Sequence, residues 1–220
     1  MMDFMRKTFL GLGAALVLSV PAASAATITL FNSSTQGVGN TADSFAAGYG
    51  ANTPTGATWS VDPTWTPPPE GYAGQSQSPF NNTGIEGTQD YFTIGGVFGS
   101  NGALSPVSLS FATVQSSFTF LWGSIDSYNS VEFFLGAISL FSYSGTNLIA
   151  DFGFDDDGPN FEEVALVMFD GFEGGFDKVK FTSPQAAFEM ALPPVPVPAA
   201  GLLLLAALGG LTALRRRKSV

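Results

Sequence analysis

Apolar and small polar side chains alternate with a period of two through the middle of the chain. Val107, Leu109 and Phe111 share one face while Ser108 and Ser110 take the other, and Phe118, Phe120 and Trp122 share a face in the next run. A strand with one side buried and one side wet reads this way. Comparable β-prone runs, bounded by Gly, Pro, Asn or Ser, cover Thr27 to Phe31, Thr58 to Val61, Tyr91 to Val97, Val107 to Val114 and Ser117 to Trp122. Val131 to Leu135, Ile138 to Tyr143, Leu148 to Phe152, Val164 to Phe169, Lys178 to Thr182 and Ala187 to Met190 follow. No window holds a convincing amphipathic helix, so Leu148 to Phe152 is read as strand with the rest. Roughly ten short strands joined by Gly-rich turns predict an all-β domain, an antiparallel two-sheet sandwich of jelly-roll-like form. Residues 32–82 break the rhythm: Gly, Ser, Thr, Asn and Pro dominate, and one clear strand is left, so long surface loops are expected there.

The two ends follow other patterns. Arg6 and Lys7 precede an apolar run from Thr8 to Val20, then Pro21 and the small residues Ala23-Ser24-Ala25. That is the layout of a signal peptide, residues 1–25, cut between Ala25 and Ala26. No twin-Arg pair is present, so the general secretory route is expected. At the other end, a transmembrane helix is expected over 197–214, stopped by Arg215, Arg216, Arg217 and Lys218. The basic stop favours the cytoplasmic side, as do Arg6 and Lys7. The segment between them, an ectodomain over 26–192 followed by a stiff Pro-rich linker from Pro193, is then expected outside.

Charge sharpens this topology. Between residues 26 and 194 lie seventeen acidic side chains and only two basic ones, Lys178 and Lys180, a net of −15. Such a field repels nucleic acid, which is excluded as a partner. The chain has no Cys and no His. Disulfides are excluded, as are Ser-His-Asp and Cys-His nucleophiles and the preferred ligands of zinc. No Gly-x-Ser-x-Gly and no phosphate-binding Gly loop occurs. A carboxylate pair acting on a glycoside is the one familiar chemistry left open.

Val195-Pro196-Val197-Pro198-Ala199, the apolar stretch after it and the closing Arg215 to Lys218 together resemble a PEP-CTERM sorting signal, in the variant usually written Val-Pro-Leu-Pro-Ala. Val197 stands where that variant has Leu, and the resemblance covers residues 195–220. It implies processing by an exosortase, a membrane cysteine transpeptidase-like enzyme, in a Gram-negative bacterium that makes exopolysaccharide and biofilm. Phe120-Leu121-Trp122-Gly123-Ser124-Ile125-Asp126-Ser127-Tyr128-Asn129 and Phe176-Asp177-Lys178-Val179-Lys180-Phe181 resemble segments of one group of exosortase-dependent surface proteins. That second resemblance implies a class and no chemistry.

Two candidate sites remain. Asp151, Asp155, Asp156 and Asp157 gather hard oxygen ligands suited to Ca²⁺, although the spacing is not that of an EF-hand; the plainer reading is a solvated acidic turn. Trp59 and Trp65 in a Pro-bounded loop offer faces on which a sugar stacks, unless they plug the end of the sandwich; Trp122 continues the Phe118/Phe120 face and belongs to the core. The expected function is therefore a non-enzymatic cell-surface or matrix protein, anchored at least transiently by its tail. Its expected partners are signal peptidase, exosortase and the membrane, with no cofactor beyond Ca²⁺. A carbohydrate-binding adhesin that engages extracellular polysaccharide is the second reading and a glycoside hydrolase the third.

Overall fold

A computed structural model of the protein describes residues 26–35, 48–65, 78–80, 89–95, 105–123, 125–154 and 163–195. The expected leader over 1–25, Asp155 to Asp157 and everything after Val195 lie outside the described residues. The elements are β1 (Thr27–Thr35), β2 (Ala57–Trp59), β3 (Thr64–Trp65), β4 (Tyr91–Ile94), β5 (Val107–Gln115) and β6 (Phe118–Gly123). They continue with β7 (Ser130–Leu135), β8 (Ile138–Ser144), α1 (Gly145–Phe152), β9 (Glu163–Asp170), β10 (Phe176–Thr182) and β11 (Phe188–Ala191).

The strands form two antiparallel sheets, one ordered β1-β9-β6-β11-β4-β3 and the other β2-β5-β10-β7-β8. The all-β sandwich expected from the alternation is what the strands build. Its core is aromatic. Phe118, Phe120, Trp122, Phe169 and Phe188 of the six-stranded sheet meet Phe133, Phe176 and Phe181 of the five-stranded sheet. Phe133 alone touches the rings of Phe118, Phe169, Phe172 and Phe176, with centroids 4.7–6.3 Å apart. Edge-to-face and offset pairs of this kind add about 0.5–1.5 kcal/mol each beyond the area they bury.

The six-stranded sheet is covered on its outer side as well. Phe80, Tyr91, Leu121, Val164, Leu166 and Ala191 form a second, smaller core there, with Tyr49 packed on it. This explains why β4 and β11 are buried at every position and why β9 reads as a nearly continuous apolar run. Residues 48–52 are fastened over this layer by reciprocal Gly50–Leu192 backbone bonds of 3.0 and 2.9 Å, and by the Asn52 side chain donating to the Leu192 carbonyl at 3.1 Å.

The loop-rich stretch carries more order than its composition predicts. β2 pairs with β5 in one sheet and β3 pairs with β4 in the other, so residues 57–65 cross from sheet to sheet. The Asp62 carboxylate accepts from both the amide and the hydroxyl of Thr64, at 3.0 and 2.6 Å, and so shapes the corner.

Leu148 to Phe152 corrects the expectation: it is helical, not extended. Ser144 caps α1 by accepting from the Asn147 amide, while the Asn147 side chain reaches back to the Ser144 amide. Gly153 ends the helix in the left-handed region at φ 73°. The first helical residue must be glycine, because a Cβ on Gly145 would run into the Asp126 carbonyl. A five-residue apolar run does not separate strand from buried helix by period alone. Here the cap decides. Among the described residues no helix is long and apolar enough to cross a membrane, and the expected span over 197–214 falls outside them.

Candidate functional site

Trp59 stands at the end of the sandwich, half-buried between the sheets. Its ring lies 4.7 Å from Phe92 and 5.8 Å from Phe181, and its Nε1 donates to Thr53 Oγ1 at 2.9 Å. Both the ring and the indole N–H are thus engaged within the domain. Trp65 pairs through its backbone with Tyr91 on β3. Trp122 lies fully buried, stacked on Phe188 at 4.6 Å and on Phe120 at 5.5 Å.

Of the acidic quartet, Asp151 is described and sits on α1, where its carboxylate accepts from the Tyr143 hydroxyl at 2.6 Å. Burial first, then this bond and the carboxylate charge, push the Tyr143 phenol well above its ordinary value. Asp155, Asp156 and Asp157 lie outside the described residues. So do Ala25 of the expected cleavage site, Pro196 to Ala199 of the expected sorting motif, and Arg215 to Lys218. Ala26 packs against the core, and Val195 is the last described residue, half-buried beyond the Gly50–Leu192 bridge.

A polar cluster that no motif announced lies where β6 leaves the six-stranded sheet. Asp126 and Glu189 are buried to 2 % and 1 % exposure, and Asn129 and Thr93 are fully buried. The Asp126–Asn129 turn closes through the Asn129 amide on the Asp126 carbonyl at 3.1 Å. The Asn129 side-chain nitrogen then bridges Asp126 Oδ2 at 3.3 Å and the Ala187 carbonyl at 3.1 Å. Tyr128 donates its hydroxyl to the Ala186 carbonyl at 2.9 Å. The turn is thereby stitched to the segment that leads into β11. Burial, followed by the charge of Asp126 and its hydrogen bond and then by the charge of Glu189, raises the Tyr128 phenol far above its usual range. Both carboxylates therefore act on the same hydroxyl.

Glu189 faces Thr93 on β4 and Gly123 on β6 across the outer side of the sheet. A Cβ at Gly123 would lie 2.7 Å from the Pro79 Cβ and 3.4 Å from the Glu189 Cβ, so residue 79 roofs this row. The signal for the cluster was present in sequence as one charged residue inside an apolar strand, Phe188-Glu189-Met190-Ala191, and as the polar Asp126 to Asn129 turn. Neither named a partner for the other. Among the described residues no three of His, Cys, Asp or Glu gather in one place where they could hold a metal ion.

The only described cations sit on the opposite sheet. Lys180 pairs with Glu132, and Lys178 and Lys180 stand over the Phe134 ring at 4.3 and 5.1 Å from its centroid. Burial acts to raise the Glu132 carboxyl, but the Lys180 and Ser139 hydrogen bonds and the two lysine charges outweigh it and hold it below its ordinary value.

No family model, curated protein or solved structure matches this chain.

Proposed function

We propose that this chain is a non-enzymatic, exported cell-surface or extracellular-matrix protein, delivered by a signal peptide and sorted through its C-terminal tail by an exosortase-type system. Its sandwich is jelly-roll-like and stands outside the cell. The observation that carries the reading is the Val195-Pro196-Val197-Pro198-Ala199 entry to an apolar segment stopped by Arg215 to Lys218. Proline at 196 and 198 has a fixed φ and no amide hydrogen, so the entry stays extended just before the apolar run. An extended backbone is what a processing cleft can bind along its length. An ordinary membrane anchor has no use for it. The position of the last strand supports the same reading. β11 ends at Ala191, and Leu192, Pro193 and Pro194 separate it from Val195, so processing at the motif leaves every described strand intact.

The test follows the tail. With the ectodomain tagged in the native host, the tail is expected to be processed in wild-type cells. It is expected to persist when the exosortase is deleted or when Pro196 and Pro198 are replaced by Ala. A full-length protein that keeps Arg215 to Val220 at steady state in wild-type cells overturns the proposal.

A further inference from the structure

The outward side chains of the five-stranded sheet fall into rows, because side chains opposite each other in paired strands share a face. One row runs Thr58, Ser110, Lys178, Phe134, Ser139 and crosses all five strands from β2 to β8. The row beside it holds Ser108, Lys180, Glu132 and Ser142. Apart from the Phe134 ring and the three charged groups, every position in the two rows is Ser or Thr. Thr58, Ser110, Ser139 and Ser142 are exposed, and the ring and the charged groups are half-buried.

Charge singles this face out. Between residues 26 and 194 two basic side chains stand against seventeen acidic ones, and both belong to these rows. Phe134 gathers them, with the Lys178 and Lys180 Nζ atoms 4.3 and 5.1 Å from the centroid of one ring. Two ammonium groups on flexible stems are thereby held in place before any ligand arrives. Glu132 pairs with Lys180 and accepts from the Ser139 hydroxyl at 2.7 Å. Asp177, the next acid along β10, accepts the Gly136 amide with both oxygens at 3.0 Å. Lys178 makes no salt bridge with a described residue and donates only to the Gly136 carbonyl, at 3.4 Å.

We infer that the outer face of the five-stranded sheet binds a carboxylated polysaccharide, laid across the strands with an acid group on Lys178. A tight protein partner needs an apolar anchor at the centre of its footprint, and the one large apolar side chain in these rows is capped by ammonium groups. Short hydroxyls around a cation suit a ligand that is itself hydroxylated and acidic. Neighbouring strands lie about 4.8 Å apart, so the first row offers a group at a regular step over about 19 Å. That is the layout for an extended polymer; a small molecule takes a concave pocket. Acidic groups elsewhere on the domain are screened beyond about 8 Å at physiological salt, so the two lysines set the sign at contact. The face is separate from Trp59 and Trp65, and it owes nothing to the sorting proposal.

The test uses the full chain, purified in detergent and titrated at about 0.15 M NaCl with EDTA present, which removes any bridging metal. The probes are two polyuronates, polygalacturonate and alginate, with neutral dextran and poly-glutamate beside them. At least one polyuronate is expected to bind, and dextran and poly-glutamate are not. Lys178→Gln is expected to weaken that binding about tenfold, the loss of one charged hydrogen bond. Ser110→Asp places a carboxylate across from Lys178 and is expected to abolish it. Both are surface changes, and their melting temperatures are expected to match the parent's. Trp59→Phe is expected to bind as the parent does. Failure of both polyuronates to bind overturns the inference, as does equal binding of dextran, which removes the acid group from the recognition. Equal binding of poly-glutamate overturns it in favour of an acidic peptide. Affinity unchanged in Lys178→Gln and Ser110→Asp, or lost in a folded Trp59→Phe, places the ligand elsewhere and overturns it too.

Discussion

Phe133 and Phe134 are neighbours in sequence and opposites in consequence. Phe133 points into the sandwich and is fully buried among five other rings, while Phe134 turns outward beneath Lys178 and Lys180. Truncation of a buried aromatic removes its transfer energy and leaves a cavity, so Phe133→Ala is expected to cost about 3–5 kcal/mol. Phe134→Ala loses a half-buried ring and its cation–π contacts, and is expected to cost only about 1 kcal/mol. Urea unfolding of the two variants, compared at equal slope, measures the difference; similar costs would show that Phe133 is not the hub of the core. The same alternation was legible in the sequence, because two adjacent residues of one strand must face opposite ways. Trp59 was less legible. Its ring is engaged by Phe92 from the far side of the core, a contact between residues 33 positions apart that no local pattern encodes.

At the scale of elements, the strands that pattern alone revealed are those with a wet side or a long apolar run. β3, with two residues, carries no period at all, and α1 carries too short a one. What makes α1 helical is the reciprocal Ser144–Asn147 cap, in which Asn replaces the Glu or Gln that usually signals the motif. Ser144→Ala is therefore expected to destabilise the protein by about 1 kcal/mol, read as a shift in the denaturation midpoint without a change in slope. Gly145→Ala is expected to do worse than its gain in helix propensity implies, since the added methyl meets the Asp126 carbonyl. A Gly145→Ala variant as stable as the parent would mean that the Asp126 turn yields easily. The buried cluster escaped sequence reading for a related reason: Thr93 and Glu189 meet across the β4–β11 pair, and the Asn129 side chain reaches the Ala187 carbonyl, contacts between segments far apart along the chain. The acidic run and the expected sorting motif were the more visible features, yet Asp155 to Asp157 and Pro196 onward lie outside the described residues.

For the molecule as a whole, charge and pH set two arms of stability. Glu132 has its carboxyl held below the ordinary 4.5, so its contribution is complete above that value and is lost as pH falls through the folded one. The pair with Lys180 is a partly exposed surface contact, and its share is at most about 1 kcal/mol. Tyr128 and Tyr143 have phenols raised above 10.0, so they favour the fold below that value and the unfolded state gains as pH rises past it. Tyr143→Phe is expected to lose a little stability at pH 8, where the bond to Asp151 is given up, and to show a shallower fall between pH 9 and pH 11 than the parent. Melting curves across that range measure the slope; an unchanged slope would remove Tyr143 from the alkaline arm. Glu132→Gln is expected to flatten the acid arm in the same way, and added salt to do so in part.

The last strand of the sandwich is not an edge. β11 lies between β6 and β4, and β1, the first described strand, pairs only with β9 among the described residues. A chain that emerges from its N-terminus on the proposed route therefore cannot close in the order in which it appears. β1 waits for residues 163–170, and β4 and β6 wait with a slot one strand wide between them, about 9–10 Å across. That slot is filled only when Phe188 to Ala191 clear the translocation channel. Residues 192–198 reach at most about 25 Å even when fully extended, so if the tail is anchored as proposed, the closing strand is drawn in while the chain is still held close to the bilayer. Until then the unfinished sheet is an acceptor for any extended segment that presents apolar side chains at alternate positions. On that proposed route, completion of export and completion of the fold become one event, and the few residues between Ala191 and the apolar tail set how long the sheet stands open.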